Sequence, residues 1–177
     1  MNIIYISGSP RPDSNTELLL KTSLSITGGQ LLRLKDFDIK HCHSCWACIK
    51  TGTCVLKDEM TDKIIPLLTN CDAIVLGSPV YFNNVSSLLK AFMDRTWCIK
   101  GKLRNKIGAC VAVGRGYGIE GTLTAMNAFF LKHEVLIANR GVSGFAFDKG
   151  EITQDQAAIN AAKQLGTRIM EMHDLIH

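Results

Sequence analysis

Residues 2–16 constrain the chain most. Asn2-Ile3-Ile4-Tyr5-Ile6 is a short, uncharged and mainly apolar run, and it stops at Ser7-Gly8-Ser9-Pro10-Arg11-Pro12-Asp13-Ser14-Asn15-Thr16. Such a run predicts a strand buried on both faces, as in a parallel sheet. Thr16-Glu17-Leu18-Leu19-Leu20 then opens a helical pattern with a Ser or Asn available as its cap. A strand, a polar loop and a helix in that order aim backbone N–H groups, the positive end of a helix dipole, several hydroxyls and the Arg11 charge at one place. That place suits a phosphate. The competing reading is an ordinary connection that binds nothing.

The remaining chain repeats the alternation. Strands are expected at Leu31–Leu34, Ala73–Gly77, Ile107–Val113 and Val135–Ala138. Helices are expected from Thr16 to about Ile26, over Ile64–Leu68 with Pro66 kinking the helix or moving its start later, after Val85 to about Trp97, over Leu123–Leu131, and over Gln154–His173. Short connections between alternating strands and helices imply an α/β fold with a parallel sheet covered on both faces. Five strands in 177 residues fit a single flavodoxin-like domain, a three-layer sandwich of strand order 2-1-3-4-5, interrupted by a cysteine-rich insertion at about 36–57. In such a sheet the ligand lies beyond the C-terminal strand ends.

The loops that follow the first, third and fourth expected strands are the chemically unusual ones. They hold Arg11, then Ser78-Pro79-Val80-Tyr81-Phe82-Asn83-Asn84, then Gly114-Arg115-Gly116-Tyr117-Gly118. Neither a G-x-G-x-x-G nor a G-x-x-x-x-G-K-[ST] pattern fits the first loop, so its hydroxyl-rich form points to the monophosphate of FMN. In this reading Ser9, Arg11, Ser14, Asn15 and Thr16 hold the phosphate. Pro79, Val80, Tyr81, Phe82, Asn83 and Asn84 line the flavin ring, and Gly114, Arg115 and Gly116 close over it. No catalytic acid or base is assigned, because hydride and electron transfer ask for distance and orientation.

His41-Cys42-His43-Ser44-Cys45-Trp46-Ala47-Cys48-Ile49-Lys50-Thr51-Gly52-Thr53-Cys54 is the most specific stretch. Cys42, Cys45 and Cys48 are spaced so that one tight turn aims three thiolates at a polynuclear centre, and Gly52 reverses the chain so that Cys54 can supply the fourth. This is the spacing of a 4Fe-4S cluster. Zinc more often takes two separated C-x-x-C pairs, although His41 and His43 keep it open, as does a loop of reduced thiols. Cys71, Cys98 and Cys110 read as core or helix residues. No apolar stretch reaches the ~18 residues of a membrane span, and the start reads as a strand rather than a signal peptide, so a cytoplasmic protein is expected. In that reducing setting the cysteines read as metal or redox residues rather than a disulfide framework. The net charge of +4 is scattered, which does not point to nucleic acid.

With these residues in place the chain resembles the flavodoxin-like NADPH-dependent FMN reductase superfamily, and within it the iron-sulfur flavoproteins. Gly8-Ser9-Pro10-Arg11 with Ser14-Asn15-Thr16 is similar to the family's phosphate loop. Ser78-Pro79-Val80-Tyr81 with Ser86, Leu89-Lys90 and Asp94-Arg95 is similar to its second flavin loop and the helix after it. Cys42, Cys45, Cys48 and Cys54, followed by Lys57-Asp58-Glu59-Met60, resemble the compact cysteine motif. The chain departs from the pattern at Ser44, where the motif usually has Gly, and at Asn83-Asn84, which replace a smaller pair. The resemblance implies FMN, a 4Fe-4S cluster near the isoalloxazine that is readily lost in air, and a homodimer that can pair into a tetramer. Electrons would pass between NAD(P)H or a ferredoxin-like donor and a small-molecule acceptor. The alternatives are an NAD(P)H-dependent FMN or quinone reductase without a cluster, and a non-catalytic electron carrier or flavin sensor.

Overall fold

β1 (Ile3–Ser7) is buried along its whole length between two parallel neighbours, β2 (Gln30–Arg33) and β3 (Ala73–Pro79). The computed structural model describes residues 1–176. The sheet continues through β4 (Ile107–Gly114) to β5 (Leu136–Ile137), giving the order β2-β1-β3-β4-β5 with every pair parallel. The expected order is therefore present. The fifth position is, however, shared: β5 pairs with Ile107 and Gly108, and β6 (Val142–Phe145) takes over the same edge at Val111–Gly114. β6 is not among the strands expected from the sequence, because Val142-Ser143-Gly144-Phe145 follows a turn and carries only two large apolar residues.

The helices are α1 (Asn15–Thr27), α2 (Ala47–Thr51), α3 (Ile65–Asn70), α4 (Ser87–Arg95), α5 (Ile119–Lys132) and α6 (Gln156–Ile176). Ser14 caps α1, its hydroxyl accepting the Glu17 N–H at 3.2 Å, a contact worth about 1 kcal/mol. Pro66 acts as expected. A π-helical turn over Met60–Ile64 passes into α3, where Pro66 stands in the first turn.

The alternation of strand side chains divides the core in two. Ile4, Ile6, Ile74 and Leu76 pack with Leu68, Leu89, Phe92, Met126 and Phe130 on the face of α3, α4 and α5. Ile3, Tyr5, Ala73 and Val75 pack with Leu19, Leu20, Ala162 and Leu165 on the face of α1 and α6. Each strand of the parallel sheet feeds its helix from its C-terminal end, so the N-termini of α1, α4 and α5 meet at one edge of the sheet. The C-termini of α4 and α5 lie at the other end of those helices.

Candidate functional site

At the C-terminal strand ends the loops are tied to one another by serines. Ser86, the N-cap of α4, accepts the Leu89 N–H and donates from its hydroxyl to Gly8 O at 2.6 Å, while its own N–H donates to Ser78 Oγ at 2.9 Å. The Gly8 N–H donates to Gly77 O at 2.8 Å. A Cβ on Gly8 would lie 2.7 Å from Leu89 Cβ, so only glycine lets the first loop close onto α4.

These loops enclose a cavity of about 250 Å³. Ser9, Arg11, Ser14, Asn15, Thr16, Pro79, Val80, Tyr81, Gly114 and Arg115 line it, which brings together ten of the residues singled out in the sequence. Val113, Tyr117, Ala146 and Phe147 complete the wall. Two arginines and no carboxylate face the space, an anion-favouring donor set at a helix N-terminus. Asn15 is committed elsewhere: its side-chain amide donates to Asp148 O at 2.8 Å and accepts the Gly150 N–H at 2.9 Å, fastening the loop after β6. The Arg115 guanidinium lies 4.2 Å from the centre of the Phe147 ring. Phe147 follows the strand that was missed, and the strand-end rule would have found it had β6 been assigned.

Phe82, Asn83, Asn84 and Gly116 lie outside this wall. Tyr81 and Asn84 exchange backbone hydrogen bonds of 2.9 and 3.0 Å around a tight turn in which Phe82 and Asn83 both have left-handed backbone, φ 49° and 61°. Asn suits that conformation and bulky Phe does not. Asn83 packs against α5, where a Cβ on Gly118 or Gly121 would come within 2.3 Å of it. Phe82 points wholly into solvent at 104% exposure.

The cysteine segment forms a second cavity, of about 650 Å³, against the C-terminal ends of α4 and α5. Cys42, Cys45, Cys48 and Cys54 all line it, as does His43, while His41 does not. Ser44 and Trp46 have left-handed backbone, φ 51° and 58°, which is the physical reason for a glycine preference at position 44. Gly52, at φ 69°, ends α2 with its N–H donating to Cys48 O at 2.9 Å and turns the chain toward Cys54. Trp46 docks edge-on against Trp97, centroids 6.0 Å apart, and Lys100 and Lys132 stand over the Trp97 ring.

Sequence reasoning missed the wall opposite the thiols, formed by Met93, Asp94, Arg95, Trp97, Cys98, Phe129 and His133. Asp94 and Arg95, which the resemblance assigned to the flavin-side helix, stand at the far end of α4 from the strand-end cavity. Arg95 pairs with Asp58, both side chains fully buried, at 2.5 Å. Burial pushes the Asp58 carboxyl up, but the bonds it accepts from Arg95 and from the Lys40 and Thr61 N–H groups outweigh that and bring it down to about 2. Burial raises the Cys98 thiol, and the neighbouring Cys54 and Cys48 raise it further. Burial likewise lifts Cys71 to about 11 and Cys110 to about 12, so these are inert core thiols. Burial and then Lys132 lower His133, whose Nε2 lies 2.9 Å from Thr96 Oγ1, and the ring is neutral at pH 7. Among the described residues, no three His, Cys, Asp or Glu side chains converge closely enough for one metal ion. No helix among them is long and apolar enough to cross a membrane.

Comparison with known proteins agrees with this architecture. The chain matches the family described as NADPH-dependent FMN reductase over residues 1–150. It is 35% identical to an iron-sulfur flavoprotein of Methanocaldococcus jannaschii, with 99% of each chain covered. It is 31% identical to an iron-sulfur flavoprotein of Archaeoglobus fulgidus, with 97% of this chain and 95% of that one covered. Among solved structures, RosB with bound 8-demethyl-8-formylriboflavin-5'-phosphate superposes with a TM-score of 0.81 at 12% identity, covering 99% of this chain and 80% of RosB. On these grounds the chain belongs to the NADPH-dependent FMN reductase family, in its iron-sulfur flavoprotein branch.

Proposed function

We propose that this protein is an FMN-dependent oxidoreductase that passes electrons between NAD(P)H or a ferredoxin-like carrier and a small acceptor, using FMN in the strand-end cavity and a 4Fe-4S cluster on Cys42, Cys45, Cys48 and Cys54. The observation that carries the reading is that all four thiols of the compact cysteine motif open on one cavity. Their compact spacing in the sequence suits a 4Fe-4S cluster better than one zinc ion, which more often takes two separated C-x-x-C pairs. FMN exchanges electrons in ones or twos and a cluster in ones, so the pair couples the two kinds of partner.

The chain's share is placement. Arg11 with the Ser9, Ser14 and Thr16 hydroxyls supports a phosphate at the start of α1, and Arg115 brings positive charge to the rim. The cavity of about 250 Å³ is smaller than the ~300–1,000 Å³ of ordinary cofactor sites, and Tyr81, Tyr117 and Phe147 in its wall would offer aromatic surface to a flavin ring. The RosB structure, with the same fold, holds a riboflavin 5'-phosphate derivative, which supports FMN here.

The two cavities lie at opposite ends of α4 and α5. At 1.5 Å per residue, α4 alone puts roughly 14 Å between them. A homodimer that sets one chain's cysteine cavity beside the other's flavin would shorten that path, and the exposed Phe82, Trp46 and Ile49 supply apolar surface for it. The test is anaerobic purification followed by iron, sulfide, zinc and FMN analysis. Iron and sulfide near four per FMN are expected; FMN with zinc or without iron would leave a plain reductase.

A further inference from the structure

Arg95 carries a fixed charge into the interior beside the cysteine cavity, with 2% of the residue exposed. Asp58 takes its fork end-on. Nη1 donates to Asp58 Oδ2 at 2.5 Å and Nη2 to Asp58 Oδ1 at 2.9 Å. The remaining Nη donors reach Lys40 O at 2.8 Å and Thr61 Oγ1 at 3.1 Å. Asp58 also accepts the Lys40 N–H at 3.0 Å and the Thr61 N–H at 3.3 Å. Lys40 precedes Cys42 and Asp58 follows Cys54, so this one pair clamps both ends of the cysteine segment to the end of α4.

A buried ion pair is weak evidence for stability, since apolar replacements of similar volume are often neutral or better. Its arrangement gives it a second use. Because Asp58 occupies the two Nη atoms, the Nε edge is left over; Nε is buried without a hydrogen-bond partner. Arg95 and Cys54 both line the cysteine cavity. One-electron reduction adds a negative charge to a thiolate-held centre, and a fixed positive charge in a low-dielectric wall favours the reduced form.

We propose that Arg95 is the positioning residue of the cysteine centre, clamping Lys40 and Asp58 to α4 and raising the centre's reduction potential by holding its charge against Cys54. The inference rests on the reading that the four cysteines hold an iron-sulfur cluster.

The test compares anaerobically purified wild type, Arg95→Gln, Arg95→Lys and Asp58→Asn, with iron per FMN measured and the cluster potential titrated by electron paramagnetic resonance. Arg95→Gln should shift the one-electron reduction equilibrium at least tenfold toward the oxidised form, about 59 mV downward. Arg95→Lys keeps a point charge without the fork and should fall between wild type and Arg95→Gln. Asp58→Asn removes the offsetting negative charge and should move the potential upward. The flavin potential, read at the other end of α4, should stay put in all of them. A clamp without an electrostatic role would lower cluster content in both the Arg95 and Asp58 variants and leave the potential of the retained clusters unchanged, which would overturn the proposal. If Arg95→Gln does not fold, Asp58→Asn and Arg95→Lys decide, and a downward or absent shift in Asp58→Asn would overturn it. Wild type without iron would overturn the cluster reading and this inference together, whereas iron with unmoved potentials would overturn this inference alone.

Discussion

The strand-end cavity and the cysteine cavity sit at opposite ends of α4 and α5, and they are assembled by different means. The first is built where three helices begin, from loops that the parallel sheet delivers to one edge, and its polar groups come largely from backbone and serines already bound to one another. The second is built where two helices end, from an inserted segment with little regular structure, pinned by the Asp58–Arg95 pair and the Trp46–Trp97 contact. Topology supports the first cavity. The second depends on a few long-range contacts, so damage to it should be local, sensitive to acid and largely invisible at the flavin end.

The largest effect that would sharpen this contrast is expected at the strand ends. Arg11 lines the strand-end cavity, and with FMN phosphate bound there as proposed, Arg11→Glu would set a negative charge against it and should weaken FMN binding by about 100-fold, read by flavin fluorescence titration, with iron per chain unchanged. Loss of iron in that variant would break the contrast. Next comes acid. The Asp58 carboxyl is depressed in the folded chain from 3.8 to about 2, so its stabilisation is complete above the unfolded value and is lost as pH falls through 4 toward 2. Urea unfolding should show about 2 kcal/mol lost in all over that window, roughly half by pH 3, and Asp58→Asn should lack this component.

Smaller effects test the docking of the cysteine segment. Trp46→Ala removes the edge-on contact with Trp97 and should destabilise the segment by about 1 kcal/mol, seen as faster hydrogen exchange over residues 41–54 with no change in β1 or β4. Ser44→Gly should do the opposite, gaining about 0.5 kcal/mol, because glycine accepts the left-handed backbone at φ 51° without steric cost. A loss of stability on that change would show that the Ser44 side chain matters more than its backbone.

The same contrast explains what was legible in the sequence. Ile3–Ile6, the polar loop and the Ser14 cap announced both the first strand and the strand-end cavity beside it, because local patterning and the strand-end rule act over about fifteen residues. The spacing of Cys42, Cys45 and Cys48 likewise marked a local cluster of thiols, and the structure brings all three to one cavity with Cys54. Arg95, Trp97 and His133 could not be found this way. They reach the cysteine segment from 40 to 90 residues along the chain, and the sequence marks α4 and α5 as helices without showing which end of each faces the thiols. Phe147 was hidden for another reason, the short β6 that shares an edge with β5. Phe82 and Asn83 read as ring-lining residues from loop position alone, whereas the left-handed turn sends Phe82 to solvent and Asn83 onto α5.

The most direct test of two separate sites in one chain is the cofactor content of Cys45→Ala purified without oxygen, measured as FMN, iron and sulfide per chain beside wild type. The account predicts FMN at the wild-type level with iron-sulfur absorbance abolished. Loss of FMN together with iron from a folded variant would contradict it, showing that the two cavities form a single interdependent site.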